Sequence, residues 1–300
     1  MAAVPLQEIT TPDDPNKSFY LKMKPFVAFK YAIEALLDTN FSNDGAGTVS
    51  AASDSLAIWV TADTVDATAT LLLKSSDTIE FQNNENDTDT VDLLSPLHSI
   101  SERFPLNLND DDDFVVLYHL KGTDRLRIWF GNEVEPPVGI EVQKGPRVTK
   151  FPNLTVLSEI TVPVNDISEM CECMEMLPAD DLSDDTVFID WKDGVATFQI
   201  RSNRKWVYQY SQNERTFQVW FDWNFMTFME KASFIADKAR VLFLTVPEQH
   251  VLFQSHIGES SADLFLLHKA RFLMSAEDQD EDVVSDIIVT LDTLSNSWLH

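Results

Sequence analysis

The 300-residue chain is short of several things, and each shortage excludes a class of protein. Only two cysteines occur, Cys171 and Cys173, so no disulfide framework staples the fold and a reducing, intracellular setting is expected. Two positions apart on a helix, the two thiols point about 200° from each other and make a poor chelating pair for one metal. With eight glycines, few phosphate-cradling loops can be built, and the sequence holds no G-x-x-x-x-G-K-[ST], G-x-G-x-x-G, G-x-S-x-G or H-E-x-x-H pattern. No apolar run reaches the roughly 18 residues of a membrane span. The opening stretch MAAVPLQEITTPDDPNK lacks both the basic region and the apolar core of a signal peptide. Basic residues are scarce too. Against 22 Lys and Arg stand 49 Asp and Glu, a formal charge of −27 whose field repels nucleic acid unless a local basic patch works against it.

The remaining chemistry is thin. The six histidines, His98, His119, His250, His256, His268 and His300, stand apart from Cys and carboxylate partners at metal-ligand spacing and read as surface or edge residues. The runs Asp110 to Asp113 and Asp180 to Asp185 miss the calcium-loop spacing and read as solvated turns. No catalytic residue, metal ligand or cofactor is assigned, and the chain is read as a non-enzyme.

What is present is a well-patterned globular chain, 44% hydrophobic and 11% aromatic. Residues 1–18, rich in Pro, Thr and Asp, form a loose lead-in. From Tyr20 a strand gives way at Lys24-Pro25 to a helix with the stripe Phe26, Phe29, Ala32, Ile33, Leu36 and Leu37. Alternating strands follow, then a short helix in SPLHSISERF opened by Ser95 and Pro96, then the hairpin FVVLYHLKG and DRLRIWFG. Residues 136–158 hold Pro136, Pro137, Pro146 and Pro152 and are the candidate linker.

The pattern then restarts. EITVPV reads as a strand, and NDISEMCECMEML as a helix capped by Asn165 or Asp166, with Ile167, Met170, Cys171, Met174 and Leu177 on one face. A hairpin around Lys192-Asp193-Gly194 follows, then KWVYQYS, RTFQVWFD and a helix with Phe225, Phe228, Met229, Ala232 and Ile235 in register, preceded by Asp222 as cap. Three strands close the unit: ARVLFLTV, HVLFQSHI and ADLFLLHKARF. Strand, helix, strands, helix, strands therefore occurs twice, an internal duplication of element order. The expected organisation is a first domain over 1–135, a linker over 136–158, a second domain over 159–275, and an acidic spacer with an apolar tail over 276–300. In that tail, Ile287, Ile288, Leu291, Leu294 and Trp298 fit a short amphipathic helix or an added strand, as a docking segment or as one that folds back on its own domain.

These stretches resemble the sliding-clamp family, the proliferating cell nuclear antigen group of DNA polymerase processivity factors with its phage and viral relatives. KYAIEALLDTNFSNDGAGTVSAASDSLAIWV (30–60) resembles the family's first helix and hairpin, with Ser53-Asp54-Ser55. ITVPVNDISEMCECM (160–174), leading to VATFQIRSN, resembles the start of its second domain. FMTFMEKASFIADKARVLFLTVPEQHVLFQSHI (225–257) resembles its last helix and following strands, including Lys231-Ala232 and Val246-Pro247. The resemblance implies an α+β, two-domain DNA-clamp fold whose subunits close a ring around duplex DNA, as a homotrimer acting at sites of replication inside the cell. A DNA polymerase and a clamp loader would dock through short apolar peptides.

Residue roles follow from the same resemblance. DNA-facing cations would be Lys30 and Lys231, with Lys22, Lys24, Arg103 and Lys238 nearby, meeting phosphates without reading bases. The peptide groove would use Leu56, Ile58, Val156, Leu157, Pro247, Phe265 and Leu267. Ring closure would pair the edge strand bearing Trp206, Val207, Tyr208 and Tyr210 with residues 133–143 of the next subunit. The second-domain helix departs from the family, carrying Asp166, Glu169, Glu172 and Glu175 where clamps usually bear basic residues. That departure keeps two other readings open: a subunit of a heteromeric checkpoint-type clamp or a viral clamp-like transcription factor, and an acidic adaptor that binds a basic protein.

Overall fold

Three of the helices begin on a proline that ends or follows a strand. Pro25, Pro96 and Pro163 occupy the N-cap positions with φ of −76°, −72° and −58° and extended ψ, and none has a side-chain cap hydrogen bond. The fixed proline φ suits the first position of a helix, and its missing N–H is no loss there. Strand therefore passes directly into helix at Pro96 and Pro163, and after the two residues Lys24-Pro25 at α1. The capping role expected of Ser95, Asn165 and Asp166 is corrected accordingly: Ser95 lies within a strand, and Asn165 and Asp166 lie in the first turn of their helix.

The computed structural model describes residues 12–37, 46–62, 67–85, 91–105, 113–131, 136–145, 154–176, 186–200, 204–209, 216–222, 227–246, 249–257, 262–274 and 288–289. They fall into two units: Met1–Asp63, Ala69–Thr149 and His256–Leu264 in the first, and Thr64–Thr68, Lys150–Ser255 and Phe265–His300 in the second. Among the described residues no helix is long and apolar enough to cross a membrane.

In the first unit, β1 (Lys17–Met23), β5 (Ile79–Asn83), β7 (Val115–Leu120), β8 (Arg125–Phe130) and β9 (Val138–Glu141) form one antiparallel sheet in the order β5-β1-β7-β8-β9. A second run, β10-β6-β2-β3-β4, comprises β10 (Gln143–Lys144), β6 (Val91–Pro96), β2 (Ala46–Ala51), β3 (Ser55–Thr61) and β4 (Ala67–Lys74). Helices α1 (Phe26–Leu36) and α2 (Leu97–Ser101) lie against each other. Phe26 meets Phe104 and Phe130 edge-on, with centroids 5.4 and 5.1 Å away, which closes α1 onto β8. The opposite face of the five-stranded sheet is closed as well: Tyr20, Val116, Tyr118 and Trp129 are buried, and the Lys17 ammonium sits over the Tyr20 and Tyr118 rings at 5.1 and 4.9 Å.

The second unit repeats the order. β11 (Leu154–Pro163) leads into α3 (Val164–Glu175), followed by β12 (Thr186–Lys192), β13 (Val195–Gln199), β14 (Lys205–Gln209), β15 (Phe217–Asp222), α4 (Thr227–Ala232), β16 (Lys238–Val246), β17 (His250–His256) and β18 (Ala262–Met274). Strand order is β18-β15-β12-β13-β14 on one side, while β11 pairs with β16, β16 with β17, and β17 with β18. Trp191, stacked on Phe217 at 5.2 Å and edge-on to Phe243 at 5.3 Å, fills the centre. Helix α4 is shorter than its apolar stripe predicts: Ser233, Phe234 and Ile235 form turns, and Phe234 is 59% exposed. Residue 225 lies outside the described residues, as do 223 and 224, so Asp222 ends β15 and is placed in no described cap.

The stretch read as a linker carries structure at both ends: β9 and β10 belong to the first unit's strands and Leu154 opens β11, while 146–153 lie outside the described residues. From the tail, β19 (Ile288–Val289) is an added strand on β11, as one of the two expected forms has it. The lead-in 1–11 and the rest of 275–300 are outside the described residues.

Candidate clamp surfaces

The polar face of α3 is organised around the edge strand β14. Arg204, Trp206 and Tyr208 alternate along one face of that strand, and Asp166, Glu169 and Cys173 recur at three- and four-residue spacing along the helix. The Tyr208 hydroxyl donates to Asp166 Oδ2 at 2.7 Å. Trp206 Nε1 donates to Glu169 Oε2 at 3.3 Å, and Arg204 Nη1 donates to Glu169 Oε1 at 3.1 Å and to Cys173 Sγ at 2.9 Å. Burial, and then the bond to Asp166, push the Tyr208 phenol well above the ordinary tyrosine range, so it stays a donor at any physiological pH. Two of the acidic residues that set this helix apart thus hold β14 by its side chains. Glu172 remains exposed.

This placement refines the expected subunit contact. The Trp206 and Tyr208 side chains turn inward to α3, whereas Val207, 59% exposed, points the other way with Lys205 and Gln209. Tyr210 lies outside the described residues. β14 ends its sheet with β13 on one side only, and β9 ends the five-stranded sheet with β8 on one side only. Among the described residues β14 and β9 thus each carry a backbone edge unpaired by any strand, as do the end strands β5 and β10 of the first unit.

The candidate cations are dispersed. Lys30 lies on the polar face of α1, half-buried and 4.0 Å from Glu34 one turn on, so the face carries no net charge from this pair. Lys24 is half-buried just before α1, its N–H donating to Thr78 O at 2.9 Å. Arg103 is exposed just beyond α2, and Lys231 is exposed on α4. Lys238 is exposed at the start of β16, opposite Pro163. Lys22 is a correction. It shares the sheet face of Tyr20, opposite to Leu21 and Met23, and its ammonium lies over the Phe114 ring at 4.5 Å, so it points away from the helices.

The groove residues divide in the same way. Leu56 and Ile58 are fully buried and pair with Ala51 and Val49. They share the face of Gly47, where an added Cβ would come within 2.8 Å of Leu97 in α2. That face is the helix-packed core, which corrects their assignment to an exposed groove; the other face of β3 carries Ala57, which is buried, and Trp59, which is half-buried. Phe265 is likewise fully buried, while Leu267 is half-buried on β18. On β11, Val156 is half-buried and Leu157 mostly buried. Pro247 lies outside the described residues.

The histidines are more structural than expected. His119 is buried, its Nδ1 3.1 Å from Ser18 Oγ and its Nε2 3.0 Å from Thr123 O. Burial lowers its pKa below the ordinary imidazole value of 6.5, outweighing the carbonyl bond and the nearby Glu85. His268 is buried too, and His256 pairs with Asp263 at 3.1 Å. Among the described residues no group of His, Cys, Asp or Glu is placed to hold a metal.

Two units of repeated order, each with a pair of helices in contact and antiparallel strands with open ends, have the DNA sliding-clamp fold. The proliferating cellular nuclear antigen from Entamoeba histolytica has this fold, matching 85% of this chain and 99% of its own with a TM-score of 0.66 at 15% sequence identity. No protein-family model matches the sequence, and no curated protein does.

Proposed function

We propose that the chain is a subunit of a sliding clamp, a ring that encircles duplex DNA without catalysis of its own and tethers a DNA polymerase and its accessory proteins. The open edges of β9 and β14 carry this reading, together with the clamp fold. Exposed edge strands are an aggregation hazard in a lone subunit, and pairing β9 of one copy with β14 of the next removes both at once. Three copies in a closed ring is the expected assembly. Lys30 and Lys231 on the helices, with Lys24, Arg103 and Lys238 at neighbouring element ends, would meet phosphates, but Glu34 and Glu230 are acidic residues of the same helices and Glu172 of α3, so the ring would retain DNA chiefly by topology. The polymerase and a clamp loader would dock short apolar peptides near Val156, Leu157 and Leu267.

Light scattering on the eluting protein tests the assembly. A mass three times the 34.1 kDa chain is expected. A single-chain mass at micromolar concentration, with no retention on circular DNA, overturns the reading. Lys30→Glu combined with Lys231→Glu is expected to lower polymerase processivity; unchanged processivity would make the cations incidental. A second reading, one subunit of a heteromeric ring, draws support from α3, which carries no Lys or Arg. In that case the isolated chain stays monomeric and trimerises only with partner subunits.

A further inference from the structure

Backbone hydrogen bonds decide which of the four end strands can accept another strand. On β9, Val142 N donates to Asp124 O at 2.8 Å, one step beyond the pair Glu141 and Arg125. Bonded and non-bonded pairs alternate in an antiparallel ladder, so Ile140 and Val138 bond to β8 while Gly139 and Glu141 turn their N–H and C=O outward. β7 gives the same phase: Gly131 N donates to Phe114 O at 2.9 Å, which makes Arg127 bond to Tyr118 and not to Gly139. On β14, Ile200 N donates to Arg204 O at 3.4 Å, so Trp206 and Tyr208 bond to β13 while Lys205, Val207 and Gln209 face the open edge. β5 differs. Its outward residues Ile79 and Phe81 are already satisfied by a serine turn. Ser76 N donates to Ile79 O at 2.8 Å, and Ile79 N donates to Ser76 Oγ at 3.2 Å. Ser75 Oγ accepts from Phe81 N at 3.3 Å and donates to Phe81 O at 3.1 Å. β10 is only two residues long. The edges with several outward groups still to pair are those of β9 and β14.

We propose that β9 of one copy and β14 of the next join in a single antiparallel register, with Gly139 opposite Val207 and Glu141 opposite Lys205. The choice of a second copy as partner rests on the clamp reading; the register rests on the hydrogen bonds above and on the side chains. Gly139, Glu141, Val207 and Lys205 are all exposed and fall on one face of the joined sheet, while buried Ile140 and the α3-bound Trp206 meet on the other. Glu141, whose carboxylate lies 3.9 Å from Arg125 of its own chain, would gain a second cation in Lys205. Gly139 adds no side chain, and the Arg125 stem lies over it, with Cδ 3.2 Å from where a Cβ would stand, so Val207 meets aliphatic surface. The ladder stops at Pro137, opposite Gln209, because proline has no N–H to give. A shift of two residues places Glu141 opposite Val207, or opposite position 203 beyond the end of β14, and either separates the charges. A shift of one sets outward groups against inward ones and turns the faces over.

The test follows dissociation of the full chain on dilution, by light scattering, in four forms: unaltered, Glu141→Lys, Lys205→Glu and the double exchange. Each single exchange is expected to raise the concentration at half dissociation at least about fivefold, since like charges directly opposite are destabilising and act at every contact of a ring. The double exchange restores opposite charges and is expected to return that concentration to the unaltered value, which also shows that the single variants fail at the contact and not in folding. A zero-length carbodiimide is expected to couple Glu141 of one copy to Lys205 of the next, read by mass spectrometry of the cross-linked dimer. A multimer indifferent to both single exchanges, one that the double exchange fails to restore, or cross-linked dimers without this pair overturns the register and leaves the clamp reading standing. A single-chain mass for the unaltered protein at micromolar concentration, with no retention on circular DNA, removes the clamp reading and the register with it.

Discussion

Helices α1 and α3 stand at the same place in the two copies of the repeated order, each entered from a strand through a proline, yet their polar faces do different things. On α1 the polar face carries Lys30 and Glu34, an ion pair at 4.0 Å, beside the half-buried Val27 and Tyr31, and the other residues of the helix are core. On α3 the polar face is acidic and engaged, with Asp166 and Glu169 holding Tyr208, Trp206 and Arg204 along the edge strand. Equivalent position in a duplicated fold therefore does not carry equivalent surface chemistry. The apolar stripes agree because both helices must pack on a sheet; the polar faces diverge because only α3 has an edge strand's side chains to satisfy.

The largest expected effect breaks the shared part of this comparison. Phe29→Ala removes a fully buried ring from α1 and should cost about 3–5 kcal/mol, read by urea unfolding. Met170→Ala should do the same to α3 at about 2–5 kcal/mol. A loss below about 1 kcal/mol for Phe29→Ala would show that α1 is not part of the core. Next comes the divergent part. Asp166→Ala leaves a half-buried phenol without its acceptor and should cost about 1–3 kcal/mol. It should also speed amide exchange in β14 but not in α1, and bring the Tyr208 phenol pKa down in an ultraviolet titration. Unchanged exchange in β14 would mean that the helix does not hold the strand.

A pH titration sharpens the contrast from the first unit's side. Burial holds the folded pKa of His119 below 6.5, so the unfolded chain takes up the proton first as the pH falls. The stabilising contribution is thus complete above the unfolded value and is lost as pH drops through 6.5 toward the lower folded value. Exchange in β1 and β7 should rise over that window, and His119→Gln should flatten the dependence. Smallest of all, Lys30→Ala should change stability by about 0.2–0.5 kcal/mol, since an i,i+4 pair on a helix surface contributes no more. A larger loss would mean that Lys30 has a structural role beyond that pair.

The period of the apolar residues made the element order legible, and with it the repeat that leads to the clamp fold. The meander β16-β17-β18 and the stripe Phe228, Met229 and Ala232 stand where the alternation places them. Which face of a strand is inside was not legible in β3, because both faces are apolar: Leu56, Ile58 and Val60 on one, Ala57 and Trp59 on the other. Only the close approach of Gly47 to Leu97 distinguishes them. Helix ends were obscured for a related reason, since Asn165 and Asp166 are good capping residues whose side chains are free to act elsewhere once Pro163 starts the helix. The bracing of β14 did leave a trace, in acidic residues at helical spacing matched to polar-tipped residues at strand spacing. The two lie about forty positions apart, and nothing in one sequence pairs them. The added strand at Ile288–Val289 left only an apolar pair after a charged run.

The open edges β9 and β14 are different surfaces, one in each unit, and this fixes the symmetry of any assembly they build. A contact between unlike patches is head-to-tail, so it has no two-fold axis and cannot stop at a self-complementary pair. Each added subunit leaves one β9 and one β14 still open until the rotation per step brings the last to the first. Closure is then an all-or-none event, and a substitution that alters the twist between neighbours would yield open filaments in place of a smaller ring.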